Sequence, residues 1–308
     1  MPLNNDALTV SGLSHNYGER RALSNVSFTV EQGTQFALLG PNGSGKTTLF
    51  RIISTLLPTI PEKVHIFGND VTLSSSEIRR LIGVVFQSPS LDQQLTVREN
   101  LLCHGHLYRL RGKDLGSRVD QALDLVDLRN RSDDRVHTLS GGLQRRVELA
   151  KAWLPNPPVL ILDEPSTGLD PGARRDFWSH IGRLRSEKGT SIILTTHLMD
   201  EATMADRVCI LNHGTIVALG SPEDLVAEIG GEVLLIYARN LSLLAEAIRK
   251  AFNQEVAILN NCLRIERPEA HAFISDLVDK FSEEIESVTF GKPTLEDVFL
   301  HHTGKPWI

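Results

Sequence analysis

The 308-residue sequence is poor in the features that membrane-spanning and disulfide-bonded proteins need. Its longest uninterrupted apolar run is six residues, Val233 to Ala238, whereas a membrane-spanning helix needs about 20. The first residues contain neither a basic stretch nor an apolar core, so the sequence predicts no secretory signal and a cytoplasmic location. Cys103, Cys209 and Cys262 are odd in number and widely spaced. This pattern favours small, reduced apolar residues over metal ligands or a disulfide framework.

The sequence also lacks an excess of basic residues. Its 32 lysines and arginines are outnumbered by 38 acidic residues, which argues against nucleic acid as a partner. At about 150 residues per domain, the length predicts two domains. Residues 1–220 hold 24 basic and 23 acidic side chains, whereas residues 221–308 hold 8 and 15. This change in composition predicts a first domain over 1–220 and an accessory domain over 221–308.

The apolar pattern predicts an α/β fold. Short apolar runs bounded by turn residues are typical of strands that are buried on both faces of a parallel sheet. The segment from about 89 to 152 has apolar residues at helical spacing instead, and it is predicted to be a helical insertion. In the accessory domain we predict strands at 232–238, 255–259, 262–266 and 285–290 and helices at 241–252 and 269–281. The order β-α-β-β-α-β is that of a ferredoxin-like unit. The runs assigned to the parallel sheet are Phe36–Leu39, Val84–Phe86, Val159–Leu162, Ile192–Leu194 and Val208–Leu211.

A glycine-rich loop follows the first of these runs and precedes a predicted helix. It matches G-x-x-x-x-G-K-[ST] in the strand-loop-helix context that supports phosphate binding. Its glycines allow backbone N–H groups to point at phosphate oxygens, and the helix N-terminus adds partial positive charge. Lys46 adds a full charge toward the β- and γ-phosphates, and Thr47 offers a hydroxyl to Mg²⁺. The predicted nucleotide-binding residues in this loop are Gly40, Pro41, Asn42, Gly43, Ser44, Gly45, Lys46, Thr47 and Thr48.

Two carboxylates end a second apolar run. Asp163 and Glu164 follow Val159–Leu162, at the strand end where open α/β sheets bind ligands. Because adjacent strand residues point to opposite faces, we expect the two acids to divide the work. Asp163 would hold Mg²⁺, and Glu164 would polarise a water for in-line attack on the γ-phosphorus.

A third motif, Leu139-Ser140-Gly141-Gly142, stands at a predicted helix start. Ser140 fits an N-cap, and Val147, Ala150 and Leu154 continue an apolar stripe behind it. By itself the segment favours an ordinary helix start, although Ser-Gly-Gly at a helix N-terminus also suits an anion.

Taken in order, these motifs resemble the nucleotide-binding subunit of an ABC transporter. The run of similarity extends over about residues 5–220 and includes Asp163-Glu164-Pro165-Ser166-Thr167-Gly168-Leu169-Asp170 and a later His197. The resemblance implies a P-loop NTPase fold that binds ATP and Mg²⁺ between two copies of the chain. Each ATP would lie between Lys46 of one copy and Ser140, Gly141 and Gly142 of the other.

The same resemblance assigns further roles. Tyr17 matches the aromatic residue that stacks on adenine, and Gln87 matches a glutamine between the sheet and the helical insertion that serves catalysis and the metal. His197 would contact the γ-phosphate or the attacking water, and Asp170 would lie at the dimer junction. The movement that accompanies ATP binding and hydrolysis would be transmitted to a separate integral-membrane permease. Gln87 and Glu99 are candidates for the coupling surface.

The sequence departs from the family pattern at Leu143, where the signature usually has glutamine. This departure removes a polar role for residue 143 but leaves the phosphate-contacting residues intact. The segment Pro293–Leu300 resembles the tail of daunorubicin-resistance and sodium-export ATPases, and it also fits an amphipathic helix capped by Thr294. An exporter subunit is therefore expected. A non-transport ABC ATPase and a cassette regulated by an effector-binding accessory domain are the alternatives.

Overall fold

The computed structural model describes residues 5–259 and 261–307. The chain divides into two compact units, residues 1–216 and 217–308. The sequence prediction placed the change of domain at residue 220. None of the helices in the described residues is long and apolar enough to cross a membrane.

The first unit contains two sheets. Its strands are β1 (Asp6–Tyr17), β2 (Arg20–Glu31), β3 (Gln35–Leu39), β4 (Val64–Ile66), β5 (Asn69–Asp70), β6 (Ile82–Val85), β7 (Val159–Asp163), β8 (Ser191–Thr196) and β9 (Arg207–Asn212). Strand β10 (Thr215–Gly220) runs across the boundary between the units. The order β9-β3-β8-β7-β6 is parallel throughout and confirms the predicted parallel core.

The second sheet of this unit was not predicted. It is antiparallel in the order β2-β1-β4-β5. The 12-residue strands β1 and β2 pair with several register irregularities, so their apolar residues do not keep a clean alternation along the sequence. This sheet places Tyr17 at the end of β1.

Helices fill the remainder of the first unit. They are α1 (Lys46–Ile53), α2 (Ser75–Leu81), α3 (Val97–Leu107), α4 (Gly112–Leu125), α5 (Gly141–Trp153), α6 (Pro171–Lys188) and α7 (Met199–Thr203), with 3-10 turns at Arg129–Arg131 and Val136–Thr138. Three of them, α3 to α5, lie between β6 and β7 in the chain, where the helical insertion was expected. Thr96 and Glu99 form a capping box at the start of α3, which gives Glu99 a local structural role.

The second unit has the predicted ferredoxin-like order. After α8 (Pro222–Ala227) come β11 (Glu232–Ala238), α9 (Leu241–Phe252), β12 (Ala257–Ile258), β13 (Leu263–Arg267), α10 (Ala270–Phe281), β14 (Ile285–Gly291) and α11 (Leu295–Thr303). The sheet is antiparallel in the order β12-β13-β11-β14. Strand β12 is shorter than the predicted 255–259, and residue 260 lies outside the described residues. Leu234, Ile236, Ile248, Ile265 and Leu277 belong to the core of this unit.

The three cysteines differ in exposure. All three cysteines are free and Cys209 and Cys262 are buried, but Cys103 is exposed on α3. Burial raises the pKa of the Cys209 thiol. This shift keeps the thiol protonated and suits a packing role.

Candidate functional site

The glycine-rich loop joins β3 to α1 and depends on its glycines for two different reasons. Gly43 and Gly45 have φ angles of 79° and 110°, backbone conformations that residues other than glycine rarely adopt. Gly40 has an ordinary φ, but a Cβ there would lie 2.5 Å from the carbonyl oxygen of Leu211. The loop therefore needs conformational freedom at its end and close backbone approach at its start.

Lys46 is the first residue of α1, and its side chain is 4% exposed. Its Nζ donates to the carbonyl oxygens of Gly40 at 2.6 Å and Pro41 at 3.1 Å, and it lies 3.9 Å from Oε1 of Glu164. Burial lowers the pKa of Lys46, while the negative charges of Glu164 and Asp163 oppose that shift. The ammonium group is thus held at the mouth of the glycine-rich loop.

Asp163 ends strand β7 and is almost fully buried. Its Oδ1 accepts a hydrogen bond of 2.5 Å from the hydroxyl of Thr195 on β8. Burial raises the pKa of Asp163, and the Thr195 hydrogen bond opposes the rise. A carboxylate in this position is an oxygen ligand of the kind that Mg²⁺ prefers.

Glu164 does not lie on strand β7, although the sequence analysis treated it as a strand residue. It follows the last residue of β7 and has φ 44°, so strand alternation does not set its direction. The left-handed backbone is secured by β8, because the N–H of Glu164 donates to both the carbonyl and the hydroxyl oxygen of Thr195 at 3.1 Å. A non-glycine residue in this region is strained and is held by its surroundings.

Three predicted residues meet at the Glu164 carboxylate. Nε2 of Gln87 donates to its Oε2 at 3.1 Å, Nδ1 of His197 lies 3.3 Å from the same oxygen, and Lys46 approaches the other oxygen. Thr167 adds its hydroxyl at 3.5 Å from Oε2. The end of β7 therefore brings an acid, an imidazole, an amide and an ammonium group together beside the phosphate-type loop.

Glu201 is a site residue that the sequence argument missed. It is 2% exposed on α7, and it accepts hydrogen bonds from Ser166 and, at 2.5 Å, from Thr196. These bonds tie the turn after Glu164 to the end of β8. A lone glutamate in a short helix gives no sequence signal for such a role.

A pocket of about 250 Å³ opens over the glycine-rich loop. Tyr17, which is 44% exposed, lies at one side of it, and its ring meets that of His15 edge-on at 4.8 Å. Arg20, Arg21 and Arg51 also line this pocket. They were not predicted, because basic residues near a turn are usually solvated surface charges. The predicted residues lining the pocket are Tyr17, Asn42, Gly43, Gly45, Lys46, Thr47, Thr48 and Glu164.

The third motif lies outside this pocket's lining. Ser140 caps α5 and accepts from the N–H of Leu143 at 3.4 Å, while Ser140 and Gly141 are exposed. A Cβ on Gly142 would lie 2.6 Å from Cβ of Ala173 on α6, so this position needs glycine for close packing. The neighbouring N-terminus of α6 is capped by Asp170, which accepts from two backbone N–H groups. These bonds lower the pKa of Asp170.

Gln144 acts within its own chain. Its Nε2 donates to the carbonyl oxygens of Val136 at 3.2 Å and Leu139 at 3.0 Å. The side chain thus closes the turn that leads into α5. Leu143, at the departure from the family pattern, is half-buried.

Comparison with known proteins shows the family of this chain. The sequence profile of the ABC transporter family matches residues 23–167. The chain is 36% identical over 304 residues to the daunorubicin resistance ATP-binding protein DrrA3 of Streptomyces coeruleorubidus, covering 97% of this chain and 96% of that protein. It is 37% identical over 312 residues to the Nod factor export ATP-binding protein I of Rhizobium sp. (strain N33), covering 97% of each.

Solved structures give the same fold. The cbiO1 protein of Clostridium perfringens, part of the ABC transporter complex cbiONQ, superposes with a TM-score of 0.68 at 27% identity, covering 81% of this chain and 97% of cbiO1. A dimeric ATP-binding cassette in a post-hydrolysis state with ADP and Pi gives 0.62 at 28% identity, covering 70% and 98%. The residues of the glycine-rich loop, the end of β7 and the start of α5 thus occur together in a nucleotide-binding ATPase fold. The chain belongs to the ATP-binding proteins of ABC transporters, in the exporter group of the daunorubicin-resistance and Nod factor export subunits.

Proposed function

We propose that this chain hydrolyses ATP in a site completed by a second copy of itself and that it drives export through a separate permease. The observation that carries the catalytic part is the cluster around Glu164. One carboxylate contacts Gln87 and His197 and lies 3.9 Å from the loop lysine, Lys46. This is the set of groups that positions a water and stabilises charge during phosphoryl transfer.

Nucleotide binding follows from the pocket over the glycine-rich loop. Tyr17 would stack on the base, and Lys46 would turn from its loop carbonyls toward the β- and γ-phosphates. Gly40, Pro41, Asn42, Gly43, Ser44, Gly45 and Thr48 would form the cradle. The hydroxyl of Ser44 is buried without a hydrogen-bond partner among the described residues, which fits a loop that receives further polar groups.

A Mg²⁺ ion fits the donors at this edge of the sheet. Thr47 supplies a hydroxyl oxygen, Asp163 a carboxylate oxygen and Gln87 an amide oxygen, all of them hard ligands. When bound, the ion would neutralise charge on the β- and γ-phosphates. Among the described residues no group of three or more histidine, cysteine or acidic side chains could hold a metal, so phosphate oxygens would complete the coordination.

In the chemical step Glu164 acts as general base. Its Oε2 accepts the water proton, while Gln87 and His197 hold the carboxylate and the water in place. General bases of this kind contribute about 10²- to 10⁴-fold to the rate. In this left-handed conformation the other carboxylate oxygen of Glu164, Oε1, lies 3.9 Å from Nζ of Lys46.

A second copy would supply the third motif. Ser140, Gly141 and Gly142 expose the N-terminus of α5, which favours a negative charge. Asp170 would lie at the junction of the two copies. The dimeric relative with ADP and Pi supports this arrangement.

Export is supported by the relatives' names and by their similarity along the whole chain. The permease would place this chain at the inner face of the membrane. We propose a catalytic cassette over 1–220, with a helical subdomain at about 89–152 that couples to the permease near Gln87 and Glu99, and an accessory domain over 221–308.

Replacing the proposed base tests the site. Glu164→Gln keeps the shape and one acceptor oxygen but does not act as a base, so we expect ATP to bind with wild-type affinity and turnover to fall by about 10²-fold or more. An ATP-bound dimer should accumulate and be visible by size-exclusion chromatography. Glu187→Gln, at an exposed position on α6, is the matched control and should hydrolyse normally. Retained turnover above a few per cent in Glu164→Gln would exclude Glu164 as the base.

A further inference from the structure

Helix α5 carries a buried arginine to which the sequence analysis gave no role. Arg145 is 7% exposed and lies five residues after Ser140. Its Nε donates to the carbonyl oxygen of Pro165 at 2.5 Å, its Nη1 to that of Phe86 at 2.5 Å, and its Nη2 to that of Asp163 at 3.4 Å. Two of these carbonyls flank Glu164, and the third immediately precedes Gln87.

The chemistry of this contact suits arginine and no other residue. A guanidinium group has five N–H donors in a rigid plane and stays protonated in proteins, so it can reach three backbone segments at once. Lysine offers a single point of charge on a flexible stem. Burial lowers the pKa of Arg145, and the carboxylates of Glu148, Asp163 and Glu201 oppose that shift.

The same helix holds the far side of Gln87. Glu148, which is 1% exposed, accepts a 2.6 Å hydrogen bond from the N–H of Ser90, and Lys151 donates to the carbonyl oxygen of Ser90 at 2.8 Å. The two side chains also form an ion pair at 3.6 Å. Side chains of helix α5 therefore form hydrogen bonds with the chain one residue before Gln87 and three residues after it.

We propose that Arg145 is a positioning residue that holds Gln87 and Glu164 of its own chain in reactive geometry. This inference rests on the proposed function, because it gives Arg145 its effect through those two side chains. Loss of the guanidinium would free the carbonyls of Phe86 and Pro165, and the two backbone segments could then shift relative to each other. Small displacements of reacting groups are costly, since about 1 Å of misplacement can reduce a rate by on the order of 100-fold.

Two substitutions at Arg145 and one matched control test the proposal. For Arg145→Gln we expect kcat to fall on the order of 10-fold, with the ATP affinity of the dilute monomer within about twofold of wild type. Arg145→Lys retains the charge and fewer donors, so its kcat should lie between the two. Arg183→Gln removes a guanidinium that bonds to Asp127 from α6 and should leave kcat unchanged. A folded Arg145→Gln protein with wild-type kcat would overturn the proposal.

Dimer formation separates positioning from a general loss of structure. In the Glu164→Gln background, Arg145→Gln should form the ATP-bound dimer at the same ATP concentration, within about threefold, as Glu164→Gln alone. Loss of the dimer in the double variant would show that Arg145 maintains α5 as a whole, and the positioning role would be wrong. If Glu164→Gln alone formed no ATP-bound dimer, the proposed two-copy site would fail, whereas the kcat values would still decide the role of Arg145.

Discussion

In the first unit, Lys46 and Arg145 are buried with backbone carbonyls as their hydrogen-bond acceptors, whereas in the second unit the buried Arg264 is paired with carboxylates. Arg264 lies on β13 with a side chain 4% exposed, and its Nη2 is 3.0 Å from Oδ1 of Asp297. Its Nη1 also forms an ion pair with Glu266. Backbone carbonyls thus accept the hydrogen bonds of Lys46 and Arg145, with the nearest Glu164 oxygen 3.9 Å from Lys46, whereas carboxylates accept those of Arg264.

The difference separates a reactive arrangement from a structural one. A cation whose partners are carbonyl oxygens keeps its charge available for an arriving phosphate group, and perturbed charges of this kind cluster at functional sites. A cation neutralised by two carboxylates of its own unit, as Arg264 is, joins strand β13 to helix α11.

The largest expected effect concerns the exposed N-terminus of α5. Ser140→Arg places a bulky cation where the second copy's nucleotide would meet the helix, so we expect ATP hydrolysis to fall on the order of 10³-fold. The ATP affinity of the dilute monomer should stay unchanged, because Ser140 does not line the pocket over the glycine-rich loop. Steady-state turnover and equilibrium binding on the same preparations measure the two quantities.

The control for this prediction is Ser186→Arg, a matched change at an exposed position of α6. It should retain normal turnover. An equal fall in monomer affinity for Ser140→Arg would mean that Ser140 belongs to its own chain's nucleotide site, and the two-copy arrangement would be wrong.

The next effect tests the second unit. Arg264→Ala leaves Asp297 and Glu266 without their cation, and breaking a buried pair costs about 3–5 kcal/mol. Since these carboxylates are 17% and 29% exposed, we expect a loss of about 2–3 kcal/mol in the unfolding free energy of this unit. Denaturant titration followed by circular dichroism measures it, while ATP affinity should not change.

Arg239→Ala serves as the control, because Arg239 is 86% exposed and pairs with Glu286 at the surface. Its effect should stay within about 0.5 kcal/mol. A fall in ATP affinity for Arg264→Ala would show that the ion pair serves nucleotide binding, and the contrast between the units would not hold.

The same contrast explains what the sequence could predict. The order of elements in the second unit and the parallel strands of the first were predicted correctly, and the parallel strands β3, β7 and β8 are short apolar runs that are buried throughout. Strands β1 and β2 were missed, because register irregularities in their pairing break the alternation. Tertiary pairing fixes those strands, and a local pattern does not reveal it.

The candidate site, too, could be predicted only in part. The loop from Gly40 to Thr48 was predicted because its glycines and Lys46 have a fixed spacing. The reason given for the direction of Glu164 was wrong, since Glu164 lies after the end of β7, in a left-handed conformation held by Thr195. The role of Arg145 could not be predicted, because its three acceptors are backbone carbonyls from separate parts of the chain.

A smaller effect is expected at the cap of α11. The hydroxyl of Thr294 accepts a hydrogen bond from the N–H of Asp297, and the carboxylate of Asp297 accepts one from the N–H of Thr294. Thr294→Ala removes one half of this capping box and should lower the unfolding free energy by about 1 kcal/mol. Thr294→Ser keeps the hydroxyl and should restore most of it. Equal losses in both variants would show that the methyl group, and not the cap, stabilises the helix.

The smallest expected effect is a gain in stability that comes with a loss of function. Burial raises the pKa of Asp163 above its ordinary value of 3.8, so the folded protein binds this proton more tightly than the unfolded chain. Wild-type stability therefore decreases as the pH rises from 3.8 through the raised pKa. Asp163→Asn avoids that loss and should gain on the order of 0.5 kcal/mol at pH 7, and the gain should shrink as the pH falls toward 4. Hydrolysis should be lost at every pH.

Asp70 supplies a control of opposite sign. Burial alone would raise its pKa, but hydrogen bonds from the backbone N–H groups of Leu73, Glu62 and Thr72 lower it below the ordinary value. Its stabilising contribution is present above pH 3.8 and is lost as the pH falls through the lowered pKa, so Asp70→Asn should destabilise the protein at pH 7. Denaturant titrations at about pH 7.5, 6.0 and 4.5 distinguish the two variants, because all three values lie above the window of Asp70: the loss in Asp70→Asn should stay constant, whereas the gain in Asp163→Asn should shrink toward pH 4.5. If Asp163→Asn also destabilised the protein at neutral pH, its carboxylate would be a structural group, and the contrast drawn between the reactive first unit and the neutralised second unit would fail at this buried acid.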